Sequence, residues 1–239
     1  MKRSLRVALA AGLAVAVPAA GGAALDCGPG APLAAPVRLE YAVTATRGVL
    51  SLAGDGVFVY RRSGEAYTVE LSLNAVGVFE MLQRSAGTVR PEGLAPATFM
   101  QQSSRRPPRS IGFDWTARRV TFSQTGQSEP TRPQLQDRLS LVMQLAWRHQ
   151  GEPRAAGFEL PVAGLRHVTS YVFEGRGAEA VNVPAGRFET VKFERQKQAG
   201  DDDLEVWLAP ALCSLPVRLR FTDDKGLLIE QRLRAVRAL

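Results

Sequence analysis

The sequence has little of the chemistry on which most enzymes and metalloproteins depend. Its 239 residues include only two cysteines and two histidines, so we predict neither a metal site nor a disulfide-rich scaffold. The chain also lacks a Gly-x-Ser-x-Gly elbow, a His-Glu-x-x-His motif and a Walker-type phosphate loop. These absences predict a protein that is not an enzyme and needs no cofactor.

Both histidines have structural explanations. His149 falls at the end of a predicted helix, where histidine commonly interacts with the helix dipole. His167 lies in an alternating run with Thr169 and Tyr171, which predicts a position in a strand. An exported hydrolase that uses either histidine is the weakest of the functional alternatives, although a Ser-His-Asp triad is assembled in space rather than in sequence.

Long uncharged runs are also scarce, and the clearest one lies at the start of the chain. Several basic residues within the first six positions precede an uncharged run from Val7 to Val17, and small residues follow as far as Ala24. This is the layout of a secretory signal peptide, and the run is shorter than the ~20 residues of a membrane span. We predict a cleaved signal over residues 1–24, a linker over 25–36 and a periplasmic mature protein without a stable membrane span.

The positive charge is weaker in the predicted mature protein than in the whole chain, whose formal net charge is +7. Removing Lys2, Arg3 and Arg6 leaves 27 of the 30 basic residues against 23 acidic ones, a net charge of +4. Nucleic-acid binding normally needs a clustered basic stripe, so we predict no nucleic-acid partner. The basic cluster from Arg105 to Arg109 contains two prolines and is interpreted as a solvated turn, with a contact for anionic lipid or glycan as the alternative.

The two cysteines, Cys27 and Cys213, lie near opposite ends of the predicted mature chain. An exported protein meets an oxidising compartment, in which disulfides form and persist. We therefore hypothesise a disulfide that ties the N-terminal segment to a late strand.

Alternation of polar and apolar residues is the main structural signal. It runs through residues 39–45, 67–73 and 217–221 and is typical of half-buried strands in antiparallel sheets. A turn sequence, Asp223 to Gly226, separates the last two strand patterns as in a hairpin. We predict an all-β or β-rich α+β fold, a single domain over residues 37–239 whose antiparallel sheet is curved or forms an open barrel.

One segment, near residues 134–149, has helical spacing instead. Leu135, Leu139 and Val142 are four and three residues apart. Further apolar side chains, Trp147 among them, widen the stripe beyond one face. We predict one main helix that is enclosed, either plugging one end of the curved sheet or packing across its open side.

Four residues are our candidates for ligand binding. Asp114 alternates with apolar neighbours on a predicted strand, where it would either face solvent or pair with Arg119 or Arg138 inside a groove. Arg138 itself, Trp115 and Trp147 complete the set.

Three adjacent aspartates, Asp201 to Asp203, stand between two predicted strands. Calcium loops space their oxygen ligands along the chain. We therefore interpret these aspartates as a solvated hairpin tip rather than a metal site.

Several short clusters follow one another along the chain in a characteristic order. They are Gly93-Leu94-Ala95-Pro96, Phe113-Asp114-Trp115, Gln136-Asp137-Arg138-Leu139-Ser140, Pro184-Ala185-Gly186, Val206-Trp207-Leu208 and Leu215-Pro216-Val217-Arg218. This order resembles the uncharacterised bacterial domain-of-unknown-function family 3108 of exported proteobacterial proteins, from about Tyr41 to the C-terminus. The resemblance implies a periplasmic, β-rich domain and supplies no catalytic residues. The pattern is also similar to the open-barrel folds of periplasmic lipoprotein carriers, which hold acyl chains in a cavity, an analogy between folds.

The shared residues have fold roles that physical chemistry explains. Asp137 falls in the first turn of the predicted helix, where a carboxylate meets the positive end of the dipole. Pro216 starts a predicted strand, a position that tolerates a missing N–H.

Two functional hypotheses follow from these features. The first is a non-enzymatic binding or carrier protein whose curved sheet encloses an apolar cavity for a lipid or another envelope amphiphile. The second is a structural or interaction protein of the cell envelope that uses the sheet edge or the Arg105 to Arg109 segment.

Overall fold

The computed structural model describes residues 25, 27–28, 31–75, 79–104, 106–197 and 201–239. The predicted signal peptide lies outside them. Within this part of the chain, residues form fifteen β-strands, one α-helix and two short 3-10 segments, Ala31–Leu33 and Pro210–Leu212. The strands are β1 (Val37–Arg47), β2 (Leu50–Ser63), β3 (Ala66–Ala75), β4 (Phe79–Arg90), β5 (Gly93–Ser103), β6 (Arg106–Asp114), β7 (Arg119–Phe122), β8 (Ser128–Pro130), β9 (Gln136–Asp137), β10 (Gly157–Ala163), β11 (Val168–Val183), β12 (Gly186–Gln196), β13 (Asp203–Ala209), β14 (Leu215–Thr222) and β15 (Leu228–Ala238).

All fifteen strands belong to one sheet, in the order β8-β7-β6-β5-β4-β3-β2-β1-β15-β14-β13-β12-β11-β10-β9. Neighbouring strands are antiparallel except β9 and β10, which are parallel. The sheet is open, with the short strands β8 and β9 at its two edges. The prediction of a large antiparallel sheet with one main helix is confirmed, and the sheet does not close.

The sheet curls until one edge returns to the interior. The side-chain amide of Gln136, in edge strand β9, donates a hydrogen bond to the carbonyl oxygen of Leu94 in β5 (2.8 Å). Near the other edge, Glu129 of β8 accepts the backbone N–H of Val168 at the start of β11. These contacts give the open sheet a concave face that is wrapped around a core.

Alternation decides which side chains fill that core. Val37, Leu39 and Tyr41 of β1 are buried, and the residues between them are half-buried. Residues 67–73 of β3 alternate between buried and more exposed positions in the same way. The predicted hairpin at Asp223 is also present, because its carboxylate accepts the N–H groups of Lys225 and Leu227. Period-two patterning therefore identified the inward face of these strands correctly.

The helix, α1, spans Ser140–Gly151 and begins later than the predicted segment. Gln134 has a positive φ of 56°, which ends any helical path there, and Gln136–Asp137 instead form β9 beside Val162–Ala163. The predicted start was wrong because Leu135 is buried from an extended segment rather than from a helix. Most of α1 is buried, as expected, and it contacts β5, β9 and β14 on the concave side of the sheet.

No helix in the described residues is long and apolar enough to cross a membrane.

Asp137 fixes the start of α1 from a position before the helix. Its Oδ1 accepts the N–H groups of Leu139 and Ser140 (both 2.8 Å), and its own N–H donates to Ser140 Oγ (3.0 Å). Its Oδ2 accepts the Ser85 hydroxyl of β4 (2.6 Å), and Tyr67 of β3 contacts the same hydroxyl. One fully buried carboxylate thus satisfies helix N–H groups and ties the helix to the sheet. Burial raises the pKa of Asp137, and the hydrogen bonds offset part of that effect.

A second polar contact holds the middle of α1. The Gln144 side chain accepts the N–H of Leu94 (2.8 Å) and donates to the carbonyl of Glu92 (2.9 Å) at the β4–β5 turn. Gly93 lies between these two residues with a φ of +107°, and a Cβ there would collide with the Gln144 amide. The glycine is therefore required both by the turn and by the approach of the helix.

The segment from Arg106 to Arg109 belongs to β6 rather than to a turn, which corrects the predicted solvated turn; Arg105 lies outside the described residues. Pro107 and Pro108 fit because the β5–β6 register shifts between Gln101 and Ser103. Proline is tolerated in a strand at such an irregularity.

Cys27 and Cys213 form the hypothesised disulfide, which spans 186 positions of sequence. Cys213 follows β13 in a left-handed conformation (φ 56°). Nearby, the Gln150 amide of α1 donates to the carbonyl of Gly28 (3.1 Å). The bond therefore holds the segment before β1 beside the end of α1 and the β13–β14 connection.

We predict that reducing this disulfide lowers the free energy of unfolding by about 2–5 kcal/mol, because the reduced unfolded chain gains the entropy of a very long open loop. Urea unfolding with and without reductant measures the change. The Cys27→Ser/Cys213→Ser double variant is the control and should show the lower stability and no response to reductant. An unchanged unfolding midpoint of the wild type in reductant would contradict the prediction.

The raised pKa of Asp137 predicts a pH dependence of stability. A carboxyl whose folded pKa lies above its ordinary value of 3.8 stabilises the fold fully below that value, and the contribution is lost as the pH rises through the folded pKa. The stability of the wild type minus that of Asp137→Asn should therefore fall as the pH rises from the ordinary aspartate range towards neutrality.

Urea unfolding of both proteins across that range measures the difference. Asp114→Asn is the matched control, because Asp114 is exposed and also accepts a backbone N–H, that of Ala117. A difference that grows with pH for Asp137→Asn would overturn this account.

Candidate ligand cavity

A cavity of about 210 Å³ lies between the concave face of the sheet and the beginning of α1. Ten strands and the segment around the helix start contribute to its wall. The lining residues are Tyr41, Phe58, Leu71, Leu73, Met81, Gln83, Gln101, Arg138, Leu139, Leu141, Val142, Tyr171, Arg195, Asp202, Leu204, Leu219, Phe221, Ile229 and Gln231.

Most of this wall is apolar. Its deepest part consists of inward-facing residues of β1 to β3, such as Tyr41, Phe58 and Leu73, which are buried. Val142 and its neighbours on the first turn of α1 close the cavity from the helix side. The half-exposed Met81 lies where the lining approaches the surface. The cavity therefore offers an apolar surface that a hydrocarbon chain could contact.

Amide side chains form one polar part of the wall. Gln83 of β4 donates its side-chain N–H to Gln101 Oε1 of β5 (2.9 Å), and Gln231 of β15 contributes another amide. Gln83 and Gln231 lie on the inward faces of their strands, where most neighbours are apolar. These amide groups are uncharged, and other residues supply the charges of the cavity wall.

The charged part of the wall consists of Arg138, Arg195 and Asp202. Arg138 Nη2 lies 3.1 Å from Asp202 Oδ2, and Arg195 Nη1 donates to the backbone carbonyl of the same aspartate (2.7 Å). One residue therefore contacts both guanidinium groups.

Arg195 is the most deeply placed of these charges, with only 4% of its surface exposed. Its guanidinium carbon lies 3.6 Å from the centre of the Tyr171 ring, a cation–π geometry. Nη2 pairs with Asp201 Oδ2 (3.1 Å), whereas Nε is buried without a hydrogen-bond partner in the described part of the chain. Packing, one carboxylate and one carbonyl thus hold a buried cation against an apolar cavity.

Of the four predicted ligand-binding residues, Arg138 lines this cavity and the other three lie elsewhere. Asp114 is exposed, and its Oδ1 caps a turn by accepting the N–H of Ala117 (2.8 Å). Among the described residues it forms no ion pair with Arg138 or Arg119, so of the two alternatives for Asp114 the solvent-facing one agrees with the structure. Arg138 instead lies next to Asp202 because β13 borders the cavity.

Both predicted tryptophans stand away from the cavity. Trp115 donates its indole N–H to the carbonyl of Pro96 (2.7 Å), and Arg90 lies over its ring. It lines a separate, open cleft beside Arg90, Arg118 and Arg132. Trp147 is half-buried on α1 and packs against the core.

The aspartates at 201–203 are more than a solvated tip. Asp201 and Asp202 contact the two cavity arginines, and Asp203 pairs with Lys197 (3.0 Å). In the described residues, no cluster of three or more histidine, cysteine or acidic side chains could hold a metal ion.

His149 lies inside the protein rather than at the helix surface. Its Nδ1 is 2.8 Å from Ser214 Oγ, its ring meets Phe193 edge-on, and burial lowers its pKa. The residue lies in the last turn of α1, as predicted, but its imidazole is buried against Ser214 and Phe193. His167 is exposed one residue before β11, close to the predicted strand position.

Sequence reasoning missed Arg195 and Asp202. Arg195 alternates with Phe193 along β12, so a charge on an apolar strand face was the available signal. For Asp202 no local signal existed, because its contacts with Arg138 join residues 64 positions apart.

Residues 40–233 match the sequence model of a protein family that is described as a protein of unknown function, DUF3108. The chain belongs to the DUF3108 family. No curated protein matches it. The DUF3108 assignment agrees with the resemblance found in the ordered clusters, and several of those clusters have scaffold roles, such as the Gln144 contact beside Gly93 and the Trp115 contact with Pro96.

Solved structures show which fold this DUF3108 chain shares. A beta-barrel-like protein of domain of unknown function DUF1849 from Brucella abortus matches with a TM-score of 0.56 and 11% identity, over 86% of this chain and 98% of that one. This likeness shows a shared barrel-like fold.

Two further matches have low TM-scores. A DUF1329 family protein from Desulfovibrio piger has a TM-score of 0.30 and 9% identity, over 87% of each chain. A putative outer membrane lipoprotein-sorting protein domain from Vibrio parahaemolyticus has a TM-score of 0.29 and 8% identity, over 85% of each chain.

Proposed function

We propose that this DUF3108 protein is an exported, non-enzymatic binding or carrier protein of the periplasm that holds the apolar part of an amphiphile in its cavity. The observation that carries the proposal is the largely apolar cavity between the sheet and the start of α1. Each methylene that moves from water into such a site contributes about 0.8 kcal/mol.

The size of the cavity indicates the size of the ligand. At about 210 Å³, it exceeds the ~150 Å³ apolar cavity that is known to take up benzene. It is smaller than the ~300–1,000 Å³ of pockets that bury drug-sized ligands. One chain, or part of one chain, is therefore a better match than a lipid with several chains.

Two features support export. The disulfide between Cys27 and Cys213 is typical of proteins in an oxidising compartment. The first 24 residues have the order of a secretory signal. Both agree with a site of action in the periplasm, where envelope amphiphiles are handled.

The alternative, an interaction protein that pairs through a sheet edge, has less support. The two edge strands, β8 and β9, contain three and two residues. Strands this short offer few free backbone groups to an added strand, and the neighbouring stretches without a strand partner on one side, residues 106–109 of β6 and 157–161 of β10, are four and five residues long. We prefer the carrier function because the cavity combines an apolar wall with charged side chains.

We predict that filling the cavity weakens binding of an apolar probe. Leu71 lines the cavity and is buried, so Leu71→Trp should weaken binding of N-phenylnaphthylamine by about tenfold or more, because the ring occupies the space of the probe. Probe fluorescence measures affinity, and native mass spectrometry of the purified wild type identifies any bound amphiphile.

Leu82→Trp is the matched control, since Leu82 is exposed on β4 and does not line the cavity. It should bind the probe as the wild type does. Val142→Phe fills the same space from the helix side and replaces Leu71→Trp if that variant unfolds. Wild-type affinity in both folded cavity variants, or no probe binding by the wild type, would overturn the proposal.

A further inference from the structure

The cavity contains two cations that its apolar lining does not explain. Arg138 and Arg195 both line it, and each has a buried Nε group without a hydrogen-bond partner among the described residues. Leaving a buried N–H of a charged group without an acceptor is costly. These Nε atoms have no accessible surface, so a ligand in the cavity would meet the two arginines at their other N–H groups.

Other arginines also have an Nε without a hydrogen-bond partner. What distinguishes Arg138 and Arg195 is that they line the cavity. Arg148 and Arg220 also have one each, but neither residue lines the cavity. Within the part of the chain that the structure describes, Arg138 and Arg195 are the only arginines of the cavity wall whose Nε lacks a hydrogen-bond partner.

The two guanidinium groups are linked through one residue, Asp202. Arg138 contacts the carboxylate of Asp202, and Arg195 contacts the backbone carbonyl of the same residue. Planar guanidinium groups favour anions with several acceptor oxygens, such as carboxylate and phosphate. The Asp202 carboxylate on Arg138 already shows the kind of group that fits there.

We propose that Arg138 and Arg195 bind the anionic head group of a single-chain amphiphile, a carboxylate or a phosphate, whose chain lies in the apolar cavity. This inference rests on the proposed function. In the loaded protein the head group accepts hydrogen bonds from the two arginines and takes the place of Asp202 on Arg138. The buried position of Arg195 strengthens the attraction, since charges interact more strongly away from water.

A series of ligands with one ten-carbon chain tests the head group. Decanoate, decyl phosphate and decanol are compared by displacement of N-phenylnaphthylamine, with acetate and inorganic phosphate as chainless anions. The anionic amphiphiles should bind about tenfold or more tightly than decanol, the magnitude expected for charge-assisted hydrogen bonds. The difference between decanoate and decyl phosphate identifies the preferred head group, and the chainless anions should displace no probe.

Arg138→Gln should remove most of the preference for anions and leave the affinity for decanol unchanged. Arg220→Gln is the matched control. The side chains of Arg138 and Arg220 are both 34% exposed, and each has an ion pair with a carboxylate and a buried Nε without a partner. Arg220, however, lies outside the cavity wall. It should keep the wild-type preference. Arg138 is used because it is more exposed than Arg195, which reduces the risk of unfolding.

Asp202→Asn should strengthen decanoate binding about threefold or more, because it removes the competing carboxylate from Arg138. Equal affinities of the wild type for decanoate, decyl phosphate and decanol would overturn this inference and leave the proposed carrier function intact. Binding of no amphiphile at all would overturn both. Loss of anion preference in Arg220→Gln to the same extent as in Arg138→Gln would also overturn the role of the cavity arginines.

Discussion

The fold is governed by the need to cover the concave face of a very large open sheet with one short helix. A helix of twelve residues is about 18 Å long, and the sheet that it covers has fifteen strands. Side chains from opposite parts of the sheet fill most of the interior. At the beginning of α1 these side chains do not meet completely, and the cavity lies there. The position of the helix start therefore determines where the empty space is found.

Asp137 determines that position. Its carboxylate accepts N–H groups at the beginning of the helix and the hydroxyl of Ser85 in the sheet. Gln144 holds the same helix to the β4–β5 turn. Two buried polar side chains thus fix a helix that hydrophobic contacts alone would leave free to slide, since apolar packing has little directional preference.

The sequence predicted the strands well because their signal is local. Alternation in β1 and β3 depends on neighbouring residues only, and the buried faces agree with it. The start of α1 was misplaced because β9 pairs with β10, a contact between residues 136–137 and 162–163 that no local pattern records. The same reason explains the cavity charges. Arg138 was selected with Asp114 as one possible partner, and Asp202 was missed, because the proximity of Arg138 and Asp202 joins residues that are far apart in the sequence.

Family membership and fold similarity describe the scaffold, whereas the cavity is the candidate binding site. The DUF3108 clusters around Gly93 and Trp115 make contacts that hold turns and the helix. The cluster that includes Asp137 and Arg138 is different, because Asp137 positions the helix and Arg138 lines the cavity. Scaffold and candidate site therefore meet in a single short segment.

The disulfide also orders events in time. Cys27 precedes the first strand, and its partner follows the thirteenth, 186 positions later. A chain made from its N-terminus presents Cys27 long before residue 213 exists, so this thiol stays unpaired while most of the sheet is synthesised. The bond therefore cannot form until thirteen of the fifteen strands have been synthesised. Any thiol chemistry that captures Cys27 in the interval, with another protein or a small oxidant, competes directly with completion of the fold.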